Sequence, residues 1–136
     1  VKRDLDSILH EKGIQASAQR VAVARYVLDT EDHPSADRVF REVKRRFPYI
    51  SRATVYNTLN LFVEKGLLRA LALAEDSVVF DPKIETHHHF IDETTGQIHD
   101  VPWDRVQVCN IETLREYEIH DYQVVMRGVR KPSDRA

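Results

Sequence analysis

The chain has 136 residues, 42% of them apolar, which is room for one ordinary domain or two small ones that share a core. Its single cysteine, Cys109, excludes an intramolecular disulfide and any four-cysteine zinc site, and it suits a reducing compartment. No apolar run approaches the roughly 20 residues that span a bilayer, and no signal peptide opens the sequence as given, so a cytoplasmic protein without a membrane partner is expected, although a start at Val1 leaves an upstream segment open.

Four helical patterns come first. Leu5, Ile8 and Leu9 make a short amphipathic start that Gly13 ends. A second helix begins near Ser17 and carries Val23, Ala24, Val27 and Leu28 to Asp29. Ser35 predicts the cap of a third, because its hydroxyl can accept an orphan backbone N–H. Ala36, Val39, Phe40, Val43 and Phe47 then form one helical stripe, which Pro48 stops. Ser51 caps a fourth helix with an inner face of Val55, Leu59, Phe62 and Val63, and Gly66 marks its end.

From Leu67 the period shortens. Leu67–Leu73 and Ser77–Phe80 are β-like and flank the polar turn Ala74-Glu75-Asp76, which predicts a hairpin. After Asp81-Pro82-Lys83, a second hairpin pairs His87–Ile91 with Gln97–Val101 around Glu93-Thr94-Thr95-Gly96. Val106, Cys109, Leu114 and Tyr117 predict one more helix, Tyr122–Met126 a last strand, and the residues from Arg130 a loose tail. The expected fold class is therefore α+β. Residues 1–81 form an N-terminal winged helix-turn-helix, 82–86 a hinge, and 87–136 a small β-β-α-β dimerisation and sensing domain. About 50 residues can hardly bury a core alone, so this second half is expected to pair with another copy, as a homodimer or a higher oligomer.

The formal net charge of −2 conceals an uneven distribution. Arg38, Arg41, Lys44, Arg45, Arg46 and Arg52 make the first half locally basic, while Asp92, Glu93, Asp100 and Asp104 gather in the second. Local clustering is what a polyanion meets. On the fourth helix Ala53, Tyr56, Asn57 and Asn60 project opposite the apolar stripe, with Arg52 in the first turn. Arg can pair with guanine, Asn with adenine, and Ala or Tyr can touch a thymine methyl in the major groove of double-stranded DNA. A plain surface helix would carry more Lys and Glu; the basic helix before it and the hairpin after it favour DNA.

Three of the seven histidines are consecutive, His87, His88 and His89. In a strand, alternate side chains share a face, so His87 and His89 point one way and His88 the other. Asp81 before the hinge and Asp100 on the partner strand offer carboxylates, and His33 could reach across from the first half. Such a mixed N/O donor set without thiolate suits Zn²⁺, Mn²⁺ or Fe²⁺ rather than Cu⁺. His88 is a candidate for a second metal site with His120, or for axial ligation of haem. His10 and His99 read as structural or solvated.

Gln19-Arg20, His33-Pro34-Ser35-Ala36-Asp37, Ala53-Thr54-Val55-Tyr56-Asn57-Thr58-Leu59, then Phe62 and Gly66, and the triple histidine resemble the ferric uptake regulator (Fur) superfamily over nearly the whole chain. The resemblance implies a homodimeric repressor, with Arg20 joining Arg52, Ala53, Tyr56, Asn57 and Asn60 on operator DNA. It also implies His33, Asp81, His87, His89 and Asp100 as ligands of a regulatory divalent metal. Most members hold a structural zinc with two Cys-x-x-Cys pairs. Here Asp92 and Thr95 stand at the first pair, and the second is absent near Gly128-Val129-Arg130-Lys131, so no structural Cys₄ zinc is expected. Gln15 stands where the family often has a basic residue that enters the minor groove.

Loss of those cysteines with the triple histidine retained is most similar to the iron response regulator (Irr) branch found in rhizobia and related bacteria. This implies a repressor of iron and haem metabolism genes that leaves its operator when haem binds through His87, His88 and His89. A second expectation keeps the DNA reader but makes Fe²⁺ or Mn²⁺ the effector, sensing metal or peroxide as a Fur- or PerR-like repressor. A third, a metallohydrolase using the His/Asp cluster, lacks a general base, so no enzyme is expected.

Overall fold

The computed structural model describes residues 4–74 and 77–132, apart from the Ala74 side chain; Glu75 and Asp76 of the expected turn and the last four residues lie outside them. The chain divides into two compact units, Val1–Ile84 and Glu85–Ala136. Among the described residues no helix is long and apolar enough to cross a membrane.

In the first unit, side-chain caps start all four helices. Asp4 accepts from Ser7 N–H ahead of α1 (Leu5–Glu11), and Ser17 accepts from Arg20 N–H ahead of α2 (Ala18–Val27). Ser35 and Ser51 do the same for α3 (Ala36–Lys44) and α4 (Arg52–Glu64), through Arg38 and Thr54. Gly66, at φ 78°, supplies the left-handed residue that turns the chain out of α4. The helix α3 ends at Lys44, before Pro48, and only one further turn follows, in which Phe47 N–H reaches the Val43 carbonyl.

These helices close on one core. Leu9, Val23, Val27, Val39, Val55 and Phe62 are essentially inaccessible to solvent. The inner face of α4 differs by one position from expectation, with Thr58 buried and Val63 only partly so. After α4 come β1 (Arg69–Ala74) and β2 (Ser77–Asp81), an antiparallel pair with Arg69 opposite Asp81 and Leu71 opposite Val79. Phe80 N–H donates to the Pro34 carbonyl at 2.9 Å, and Ser35 bridges Val79. The hairpin is thereby fastened to the start of α3, which completes the winged helix-turn-helix.

The second unit is a three-stranded sheet with β3 (His88–Asp92) at its centre. On one side β4 (Ile98–Val101) runs antiparallel, with His89 opposite Asp100; on the other, β5 (Val125–Gly128) runs parallel, with His89 opposite Val125. The helix expected over Val106–Tyr117 does not form. Two 3₁₀ turns, Trp103–Arg105 and Ile111–Thr113, stand in that crossover instead, so the second half is β-β-β with 3₁₀ connections and the last strand begins three residues later than expected. The physical reason is local. Val106 is extended at φ −131° and Asn110 is left-handed at φ 71°, and both interrupt the apolar spacing that suggested a helix. The α+β class stands.

Asp92 holds the β3–β4 turn. Its Oδ1 accepts from Thr94 N–H at 2.9 Å and from the Thr94 hydroxyl at 2.6 Å, while Gly96 N–H donates to its carbonyl at 2.7 Å. A carboxylate with these donors occupies a position where the resemblance would place a zinc thiolate. The Thr94 hydroxyl, then its backbone N–H, hold the Asp92 carboxyl below the usual carboxylate range. A depressed folded-state pKa contributes stability above the unfolded value, about 4, that is lost as pH falls through the folded value. Replacing Asp92 with Ala is expected to lower the unfolding midpoint at pH 7 and to flatten its dependence on pH below about 4, as read by circular dichroism in a pH series.

Candidate metal centre and nucleic-acid interface

In the first unit, the Phe80–Pro34 bond sets His33 beside the end of β2. His33 is left-handed at φ 53°, a conformation uncommon outside glycine, and its Nε2 lies 3.2 Å from Asp81 Oδ2. Both residues are buried, and Asp81 Oδ1 also accepts from Lys83 N–H at 2.9 Å. This unit thus offers one imidazole and one carboxylate.

In the second unit, register does the work. Asp100 faces His89 across β3 and β4, and His87, two residues earlier, lies on the same face. His87 Nε2 is 3.1 Å and His89 Nε2 3.6 Å from Asp100 Oδ1. The other ring nitrogens decide the tautomers. His87 Nδ1 lies 2.7 Å from the Glu85 carbonyl, which can only accept, and His89 Nδ1 lies 2.8 Å from Gln123 Oε1. Each neutral ring therefore carries its proton on Nδ1 and its lone pair on Nε2, on the Asp100 side. Such a set can ligate a divalent metal through two nitrogens and an oxygen.

His88 is arranged the opposite way. Its Nδ1 accepts from Val124 N–H at 2.9 Å, so in the neutral ring Nε2 bears the proton and no lone pair is left for an ion or a haem iron. Its ring is fully buried and stacked on Trp103 at 4.6 Å, with Tyr122 edge-on to the indole. His120 is exposed and paired with Glu118. No group of three or more metal donors among the described residues includes His88 or His120. The haem expectation loses its freest ligand here, since His87 and His89 turn toward Asp100.

The exposed face of α4 carries Ala53, Tyr56, Asn57 and Asn60 as the sequence predicts, with Arg52 in the first turn. A surface cleft of about 730 Å³ is lined by Gln15, Arg20, Thr54, Asn57, Asn60 and Glu64. Arg20 Nη1 donates to the Gln15 carbonyl at 2.7 Å, which places it on the rim. Sequence reasoning missed two residues. Asp37 accepts from both Tyr56 and Arg52, and Gln123 orients His89 from 34 residues away. Their partners are distant in sequence, so no local pattern announces them.

Residues 11–127 match the ferric uptake regulator family. The chain belongs to that family. It is 33% identical over 116 residues to the peroxide-responsive repressor PerR of Staphylococcus epidermidis (strain ATCC 12228 / FDA PCI 1200), covering 85% of this chain and 75% of the relative. The manganese-containing ferric uptake regulator of Pseudomonas aeruginosa shares the fold, with a TM-score of 0.71 at 23% identity over 96% of this chain and 100% of that one. A zinc-bound manganese uptake regulator is similar at 27% identity and a TM-score of 0.67, over 95% and 100% of the two chains. As a Fur-family member the chain is a transcription regulator and not an enzyme, which removes the hydrolase reading.

Since Gln123 fixes the tautomer of His89, Gln123→Ala is expected to weaken Mn²⁺ binding by about 10–100-fold with little change in thermal unfolding. Calorimetric titration checks the affinity.

Proposed function

We propose that this Fur-family chain is a homodimeric repressor whose operator affinity is raised by a divalent metal held by His33, Asp81, His87, His89 and Asp100. The observation that carries the reading is the convergence of two imidazole Nε2 atoms on Asp100, each with its other nitrogen engaged by an oxygen. Neutral nitrogen and carboxylate donors without thiolate suit Mn²⁺ or Fe²⁺, and Zn²⁺ also fits. The first unit supplies two donors and the second three, and neither set alone completes an ordinary coordination sphere. An ion that recruited both would fix the angle between a DNA-reading unit and a dimerising unit.

Arg20, Arg52, Ala53, Tyr56, Asn57 and Asn60 are the residues we assign to operator DNA. Dimerisation is assigned to the second unit, in which no described apolar residue is buried. Trp103, Leu114, Tyr117 and Ile119 there are exposed, as expected of half a core. The likeness to PerR supports a peroxide response, in which oxygen would be added to His33 or His87 beside a bound Fe²⁺.

Fluorescence anisotropy with an operator duplex tests this reading. Mn²⁺ is expected to tighten binding roughly tenfold or more, and His87→Ala or Asp81→Ala to remove that gain while leaving metal-free binding unchanged. Haem-induced release with no response to Mn²⁺ would contradict it. For the peroxide response, mass spectrometry after peroxide with Fe²⁺ is expected to find one added oxygen on His33 or His87, and none with Mn²⁺.

A further inference from the structure

Helices α3 and α4 meet at one carboxylate. Asp37 stands in the first turn of α3, and its Oδ1 accepts from the Tyr56 hydroxyl at 2.6 Å and from Arg52 Nη1. The Arg52 guanidinium lies over the Phe40 ring, 4.6 Å from its centroid. The ring therefore backs the guanidinium, and the Asp37 carboxylate holds it.

Stability does not explain this clasp. The Asp37 and Arg52 side chains are 61% and 57% exposed, and ion pairs so open to water add little to folding. A carboxylate on a face that meets phosphate also repels DNA, so the group lowers sequence-independent affinity. Its effect on proton placement is more specific. A phenol has one O–H, and with that proton donated to Asp37 the Tyr56 oxygen turns only lone pairs outward. Hydrogen bonding from Tyr56, and then the charge of Arg52, keep the Asp37 carboxyl below its ordinary range, so at neutral pH it remains an acceptor.

In the major groove, the donors are the exocyclic amines of adenine and cytosine, whereas guanine N7 and O6 and thymine O4 only accept. An outward-facing oxygen with no proton to give meets the first pair favourably and the second unfavourably. Arg52 has given one edge to Asp37 and keeps its remaining N–H groups for guanine or phosphate.

We propose that Asp37 is a positioning residue for operator recognition, fixing Tyr56 as a hydrogen-bond acceptor so that α4 selects an adenine or cytosine amine opposite it. The proposal rests on the reading of α4 as the DNA-reading helix. Asp37 itself touches no base. It acts through Tyr56 and Arg52, and it contributes discrimination at some cost in affinity.

The test uses the full chain with Mn²⁺, a duplex selected by the wild-type protein from a randomised pool, and an unrelated duplex of equal length. Asp37→Ala is expected to lower the ratio of the two affinities about tenfold, with binding to the unrelated duplex unchanged or tighter. The base preference at the Tyr56 position should relax to accept guanine and thymine. Tyr56→Phe keeps the ring and removes the hydroxyl, and should lose the same preference. Adding Asp37→Ala to Tyr56→Phe should relax it no further, because the two residues act as one unit.

An unchanged ratio and base preference in Asp37→Ala, alongside their loss in Tyr56→Ala, would overturn the proposal and leave α4 as the reader. An amine preference that survives Tyr56→Phe overturns it as well, even if Asp37→Ala fails to fold. Unchanged ratios in both Tyr56→Ala and Asn57→Ala would instead remove α4 as the reading helix, and the proposal with it.

Discussion

A single backbone hydrogen bond, from Phe80 N–H to the Pro34 carbonyl at 2.9 Å, ties the hairpin of the first unit to the entrance of α3. Much of that unit depends on it. It sets Asp81, one residue after Phe80, beside His33, one residue before Pro34, and so assembles an imidazole–carboxylate pair from positions nearly fifty residues apart in the chain. The same junction leads into the Ser35 cap and the first turn of α3, where Asp37 meets Tyr56 and Arg52 of α4. The residues we propose for the metal and for DNA in this unit are thus anchored to one end of one helix. A shift at Pro34 would be felt at both.

In the second unit the equivalent constraint is register. With β3 central, its backbone is committed on both edges, and His89 cannot leave Asp100 without slipping the whole β3–β4 pair. A slip of one residue would exchange the faces of His87 and His89 with that of His88. The Asp92 turn opposes such a slip, since its carboxylate is occupied by Thr94 and its main chain by Gln97 and Gly96. Small domains commonly rely on metal or disulfide staples for this purpose. Here an anionic hydrogen-bond acceptor does it with one residue.

What could be read from the sequence was what depends on neighbours in the chain. Ser17, Ser35, Ser51 and Gly66 mark helix ends because caps act within three or four residues, and all four stand where expected. The period of two alone puts His87 and His89 together and His88 apart, as the structure has them. Over Val106–Tyr117 the four apolar residues suggest a helix, but the extended backbone at Val106 and the left-handed Asn110, which their spacing does not reveal, break it. The reversed tautomer of His88 depends on Val124, and the orientation of His89 on Gln123, contacts made by the return of β5 rather than by any local pattern. For the same reason Asp37 stands out in the sequence only as the last residue of the His33-Pro34-Ser35-Ala36-Asp37 run, without its partners Tyr56 and Arg52.

We propose that one divalent ion, held by donors from both units, governs how α4 meets DNA. Binding linkage makes this claim symmetrical, because a metal that raises operator affinity by some factor must itself be bound more tightly by the same factor when operator is present. The most direct measurement is the Mn²⁺ affinity of the full chain with and without saturating operator duplex, set beside the operator affinity with and without saturating Mn²⁺. Our account predicts two equal factors, both lost in Asp100→Ala. An Mn²⁺ affinity indifferent to operator would contradict it.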